Sequence, residues 1–207
     1  SISMDAYPYA ASSTMLGVGN EARASRIIIT WSDAMPEAAN RDLAELAEEL
    51  GLSISEAVER LIPAGGIFFT MDEGDVRRIL RHPLTVVGSD GIPQDKHPHP
   101  RLWGSFPRVL GHYARDEGIF SLEDAVRRMT STTARRFGIR DRGEIREGAF
   151  ADLVLFDPDT ISDTATFADP SRPADGIQMV MVNGVPVWQD GTATGKRPGR
   201  ALRGRNV

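Results

Sequence analysis

The run Leu84-Thr85-Val86-Val87 has no polar face, and it stops at Gly88-Ser89-Asp90-Gly91. A strand apolar on both sides must be covered on both sides, which is the pattern of a parallel strand inside an α/β fold. Its end places a carboxylate, Asp90, at a C-terminal strand tip, where α/β enzymes put reacting groups. The preceding residues agree. Ile67-Phe68-Phe69-Thr70 reads as a buried strand, and Asp72 caps a short helix carrying Val76, Ile79 and Leu80. Strand, helix, strand in that order predicts βαβ packing.

Other elements follow from periodicity and caps. A strand is expected over Ile2 to Tyr9, ended by Pro8, then a loop of small polar residues over 10–25, then a strand at Ile27 to Trp31. Leu43, Leu46, Ala47 and Leu50 fall on one helix face, with Gly51 at the stop position. Ser53 and Glu56 have capping-box spacing before Ala57, Val58, Leu61 and Ile62, and Pro63-Ala64-Gly65-Gly66 breaks that helix. The Pro- and His-rich stretch 92–107 reads as irregular, with a helix over Phe106 to Tyr113, a capped helix from Ser121 and a short one over Ala134 to Phe137. Beyond Gly138 the character turns to strands: Phe150 to Phe156, then Ile177 to Trp188 folding as a hairpin on Asn183-Gly184.

Composition narrows the function classes. The 207 residues hold no cysteine, which removes disulfides, thiol catalysis and Cys-ligated metal. A formal net charge of -5 gives no general attraction to nucleic acid or to an anionic membrane. No apolar run is long enough to span a membrane. Ser1-Ile2-Ser3-Met4-Asp5 shows no secretory signal, so a cytoplasmic location is expected. Ser1 is an odd natural start, so a fragment, a processed chain or one piece of a larger polypeptide is also expected. The basic tail of Lys196, Arg197, Arg200, Arg203 and Arg205 reads as solvated, since no aromatics interleave the charges.

Several residues could carry chemistry, and each also has a plain structural reading. Asp90 beside a divalent ion could bind it and shuttle a proton. As part of Ser-Asp-Gly it could equally be a turn residue. His97 and His99 could share an ion from an extended backbone, but in a Pro-rich loop they read as a loop pair. His82 and His112 are isolated. Arg101 offers a planar fork for a carboxylate, or a surface ion pair. Tyr7 and Ser13 could donate hydrogen bonds into the same mouth, and Met71 could line it.

The stretch LTVVGSDGIPQDKHPHPRLWGSFPRVLGHY at 84–113 resembles the final barrel strand and following loop of the N-acyl-D-amino-acid deacylases, in the amidohydrolase superfamily. The resemblance extends over DAYPYAASSTML at 5–16, PAGGIFFTMDEGDVRRIL at 63–80, GEIREGAFADLVLFDP at 143–158 and VNGVPVWQ at 182–189. The more general part is Gly143, Gly148, Ala151, Asp152 and Leu153, which amidohydrolases share widely.

The resemblance implies an α/β protein: the last part of a (β/α)8 metal-dependent hydrolase barrel plus a small C-terminal β-sandwich segment. Residues 1–138 would be the barrel part, with an insertion over about 11–65, and 139–207 the sandwich segment. It implies zinc-dependent hydrolysis of N-acyl-D-amino acids by the complete enzyme. Asp90 would be the catalytic residue and a weak or second metal ligand, activating water and passing its proton to the leaving amine. Arg101 would hold the substrate α-carboxylate, helped by Tyr7 and Ser13, and Met71 would line the side-chain pocket. The main Zn2+ ligands of the family, a Cys and several His on earlier strands, have no counterparts here. The isolated chain is therefore expected to be inactive, with the N-terminal part of the barrel as its missing partner. Two other readings stay open: an amidohydrolase acting on a cyclic amide, as dihydropyrimidinase does, and a non-catalytic module without a metal site.

Overall fold

The computed structural model describes residues 2–202; Arg203 and Arg205 of the tail lie outside them. The chain is a mixed α/β protein, with three separate sheets among the described residues. The first is a parallel pair, β1 (Met4–Ala6) beside β5 (Thr85–Val87), with Asp5 opposite Val86. β5 is buried along its whole length, as a strand without a polar face requires. The strand expected over Ile2 to Tyr9 is thus confined to Met4–Ala6.

The second sheet is antiparallel, in the order β2 (Ala11–Met15), β4 (Ala64–Phe69), β3 (Ile27–Ser32). Two expectations change here. Residues 11–15 form a strand and not a loop, because Ser12, Ser13 and Thr14 pair with Phe68, Ile67 and Gly66. β4 also begins inside the stretch taken as a helix breaker. A Cβ at Gly65 would lie 2.4 Å from Trp31 Nε1, so glycine lets β3 close on β4 there.

Helices α1 (Leu43–Leu50) and α2 (Ile54–Leu61) cover this sheet. Asp42 caps the first and Gly51, at φ 66°, ends it. Ser53 and Glu56 form the expected capping box on the second. Leu43, Leu46, Val58 and Leu61 face Ile27, Ile29 and Phe68 in one core.

Helix α3 (Glu73–Arg81) leads into β5. Arg128 on α5 (Leu122–Met129) is buried, and its Nη1 donates to the carbonyls of Leu80, His82 and Thr85. That guanidinium satisfies chain-end carbonyls of α3 and fastens α3, β5 and α5 together. The short α6 (Ser131–Arg136) follows.

Helix α4 (Arg101–Arg108) continues as a π-helical segment, Val109–Asp116. It starts well before the expected Phe106. Pro100 ends the irregular stretch, and its φ of -57° already suits a helix start. Two glycines on this helix admit close neighbours. A Cβ at Gly104 would lie 2.3 Å from Tyr9 Oη, and one at Gly111 would lie 2.3 Å from the Ile161 carbonyl oxygen. Residues 161–163 therefore lie directly on the helix.

The third sheet is antiparallel: β6 (Leu153–Phe156), β7 (Ile177–Val182), β8 (Val185–Gln189), β9 (Thr192–Ala193). β7 and β8 turn on Asn183-Gly184, both at positive φ, as the hairpin reading expects. Asp152 accepts the Asn183 N–H at 2.8 Å and pairs with Arg142, so this part of the Gly143-to-Leu153 motif holds the hairpin. Leu153, Val154 and Leu155 are exposed, and an apolar groove of about 580 Å³ runs between this sheet and the helices, lined by Phe106, Leu110, Met129, Leu153 and Ile177. No helix among the described residues is long and apolar enough to cross a membrane.

The contact at Gly111 sets a sign. Gly to Ala inside a helix ordinarily stabilises by about 0.5–1 kcal/mol. Here the new methyl meets backbone, so Gly111→Ala is expected to destabilise by about 1–3 kcal/mol, read from the denaturant midpoint.

Candidate active site

The site forms where β1 and β5 end. Gly88 follows β5 and donates to the Ala6 carbonyl at 3.1 Å. A Cβ at Gly88 would come within 3.1 Å of Asp5 Oδ2, so the two strand ends are tightly apposed. The chain then turns at Asp90, in the left-handed region at φ 45°, a conformation Asp tolerates better than most residues. The turn leaves its carboxylate 66% exposed.

Arg101, the first residue of α4, is the opposite case: its side chain is 1% exposed. Its Nη2 lies 2.8 Å from Asp90 Oδ2, and its Cζ sits 4.5 Å from the centre of the Tyr7 ring. The contact with Asp90 is close enough for an ion pair but is not aligned as a hydrogen bond. Nε and Nη2 thus stay buried without a hydrogen-bond acceptor. A buried donor without an acceptor, as Nε is, is expensive, and an incoming carboxylate could supply one. Burial pushes the Tyr7 phenol up, and the Arg101 charge partly opposes this.

The structure therefore brings Asp90, Arg101 and Tyr7 together. Ser13 and Met71 are placed differently. Ser13 lies on β2, two residues beyond Ala11, and Met71 donates its N–H to the Ala10 carbonyl. Among the described residues no hydrogen bond or ion pair joins either of them to Asp90 or Arg101. Met71 is 41% exposed.

The rings of the histidine pair bond to backbone groups. His97 Nε2 donates to the Phe167 carbonyl at 2.7 Å, and His99 Nε2 donates to the Ala11 carbonyl at 3.1 Å. His99 Nδ1 in turn accepts the Arg101 N–H at 2.9 Å. Both rings bond to backbone groups. No group of three His, Asp or Glu side chains among the described residues is arranged to hold a metal.

Three relationships were not legible from sequence. Asp95 lies near Arg101 and Trp31, and burial raises its carboxyl above the usual range. A lone acid in a Pro-rich loop gives no signal of that. Arg108 donates from Nε to the Pro8 carbonyl at 3.0 Å and pairs with Asp163, whose carboxylate also accepts from Tyr9. This network pins the Tyr7-Pro8-Tyr9 segment from behind, through residues 55 and 154 positions apart in the chain. His99, read as a loop residue, is in direct contact with the backbone of Arg101.

With this geometry in view, comparison with known proteins is informative. The model of the amidohydrolase family matches residues 11–188, and the chain belongs to that family. Within it, the chain is 57% identical to D-aminoacylase of Alcaligenes xylosoxydans xylosoxydans over 201 residues, covering 97% of this chain and 42% of the relative. It is 51% identical to N-acyl-D-aspartate deacylase of the same organism, covering 97% and 40%. A crystal structure of N-acyl-D-glutamate deacylase from Bordetella bronchiseptica, with zinc and a phosphonate mimic of the tetrahedral intermediate, superposes with a TM-score of 0.93 at 49% identity, covering 97% and 42%. The chain thus spans about two fifths of the length of these relatives.

Burial holds His99 neutral, with its pKa lowered from 6.5 to about 3. The unfolded chain binds a proton in that range and the folded chain does not, so stability is full above about 6.5 and falls as pH drops toward 3. Denaturant midpoints measured across this window should show a shallower pH dependence in His99→Asn than in the parent.

Proposed function

We propose that these residues are the C-terminal portion of an N-acyl-D-amino-acid deacylase, a hydrolase of linear amides. The observation that carries the reading is Arg101: a buried guanidinium ion-paired through Nη2 with an exposed carboxylate at a strand tip, its Nε left without a hydrogen-bond acceptor. That is a receptor for a substrate carboxylate next to a group able to move a proton. It favours an acyclic substrate ending in a carboxylate over a cyclic amide.

In the proposed reaction Arg101 binds the α-carboxylate and Tyr7 packs against its guanidinium. Ser13, on β2 of the second sheet, supplies a hydroxyl to the same carboxylate. Asp90 takes a proton from the attacking water as the carbon–oxygen bond forms. It returns that proton to the nitrogen as the amide bond breaks. Met71 lines the space for the substrate side chain. Because the carboxylate is fixed, an L-substrate would direct its side chain or its acyl group into protein.

Zinc, when bound in such an enzyme, lowers the pKa of its water toward about 7. The described residues do not make a zinc site alone, since Asp90 offers a single carboxylate and no cluster of ligands accompanies it. The other ligands would come from beyond these 207 residues. We place β1 and β5 as adjacent strands of a larger (β/α)8 barrel, with about 11–65 inserted, and 139–207 in a β-sandwich. A two-stranded parallel sheet does not stand alone. The exposed apolar residues of β6 and the groove beside them support further protein covering this face.

In the complete enzyme, Asp90→Asn should reduce hydrolysis of an N-acetyl-D-amino acid by about 10²–10⁴-fold with the tightly held zinc retained. Ready turnover by this variant would remove the mechanism. Metal analysis of the purified 207-residue chain should find no stoichiometric, tightly held zinc.

A further inference from the structure

We infer that His99 is a positioning residue: its imidazole clamps the Arg101 anchor to strand β2, so that one ring sets the spacing between the guanidinium and the Ser13 hydroxyl. The inference rests on the carboxylate-binding reading of Arg101 and deepens it. On one side, Nδ1 accepts the Arg101 backbone N–H at 2.9 Å. On the other, Nε2 donates to the Ala11 carbonyl at 3.1 Å. The donor on Nε2 and the acceptor on Nδ1 define a single neutral tautomer, and both ring nitrogens are used. A protonated ring would put a donor against the Arg101 N–H, and the clamp would open.

The ring has little freedom to leave this position. It is buried, and it meets Tyr9 and Phe167 edge to face, each with centroids 5.2 Å away. Ala11 and Ser13 are held in register on β4, opposite Phe69 and Ile67, so the bond to the Ala11 carbonyl ties Arg101 to the strand that carries Ser13. Arg101 enters α4 as its first residue, and the Ser105 hydroxyl donates to the Arg101 carbonyl at 2.7 Å. The backbone on both sides of the Arg101 Cα is therefore bonded in place. The guanidinium beyond it, whose own donors are incompletely paired, leans on that placement.

Two substitutions separate the halves of the clamp. In His99→Asn the side-chain oxygen can still accept the Arg101 N–H, as in an Asx turn, but nothing reaches Ala11. In His99→Gln the amide nitrogen can reach the Ala11 carbonyl, but the acceptor for Arg101 is lost. Steady-state kinetics of the complete enzyme would compare an N-acetyl-D-amino acid with its α-carboxamide analogue. Each variant should raise KM for the carboxylate substrate about fivefold, the loss of one hydrogen bond. The ratio of kcat/KM between the carboxylate and carboxamide substrates should fall by the same factor, with circular dichroism unchanged. A general structural role would depress both substrates equally; that result, or an unaltered KM, overturns the inference. If His99→Asn does not accumulate as folded protein, His99→Gln decides alone. Arg101→Met is the control for the underlying reading. Should it leave KM for the carboxylate substrate unchanged, the anchor itself is wrong. Should it raise KM while the His99 variants do not, only the clamp is wrong.

Discussion

A guanidinium closed off from water must find its compensation inside the protein or in what the protein binds. Arg101 finds part of it in Asp90 and the Tyr7 ring and leaves the rest open. The surrounding structure is arranged around that fact. The Tyr7 segment is held by Arg108 and Asp163, the Arg101 backbone by His99 and Ser105, and the Asp90 turn by the close apposition of β1 and β5. A group so costly to bury is kept in place by contacts from four regions of the chain that are distant in sequence.

Helix α4 is the element that joins these regions. Its first residue points into the site, its last carries Arg108, and its glycine face receives the 161–163 segment. The third sheet reaches the helix through that segment, because Ile161 belongs to the same core as Val87, Val109 and Ala125. Packed atoms of this core thus join the C-terminal sheet to the helix.

Much of this was legible from local chemistry. The capping box at Ser53, the stop at Gly51, the Asn183-Gly184 turn and the position of Asp90 after a two-sided strand all follow from short-range rules, and the structure agrees with each. What was not legible depends on partners far away in the chain. Ser12, Ser13 and Thr14 become strand only because β4 lies beside them. Gly65 and Gly66 look like a breaker until Trp31 and Ile27 occupy the space beside them. The helix at Arg101 is hidden by the proline before it, and Asp95, Asp163 and Arg108 acquire meaning only through burial and pairing. The tail arginines show the same limit: Arg200 lies over the Phe150 ring, a contact no charge pattern announces.

The neutral state of His99 has one more consequence. A histidine in an enzyme's working region is commonly taken as the source of rate changes near neutrality. This one is withheld from titration across that whole range. The bond from Nδ1 to the Arg101 N–H and the bond from Nε2 to the Ala11 carbonyl are therefore not tied to a charge that appears near neutrality.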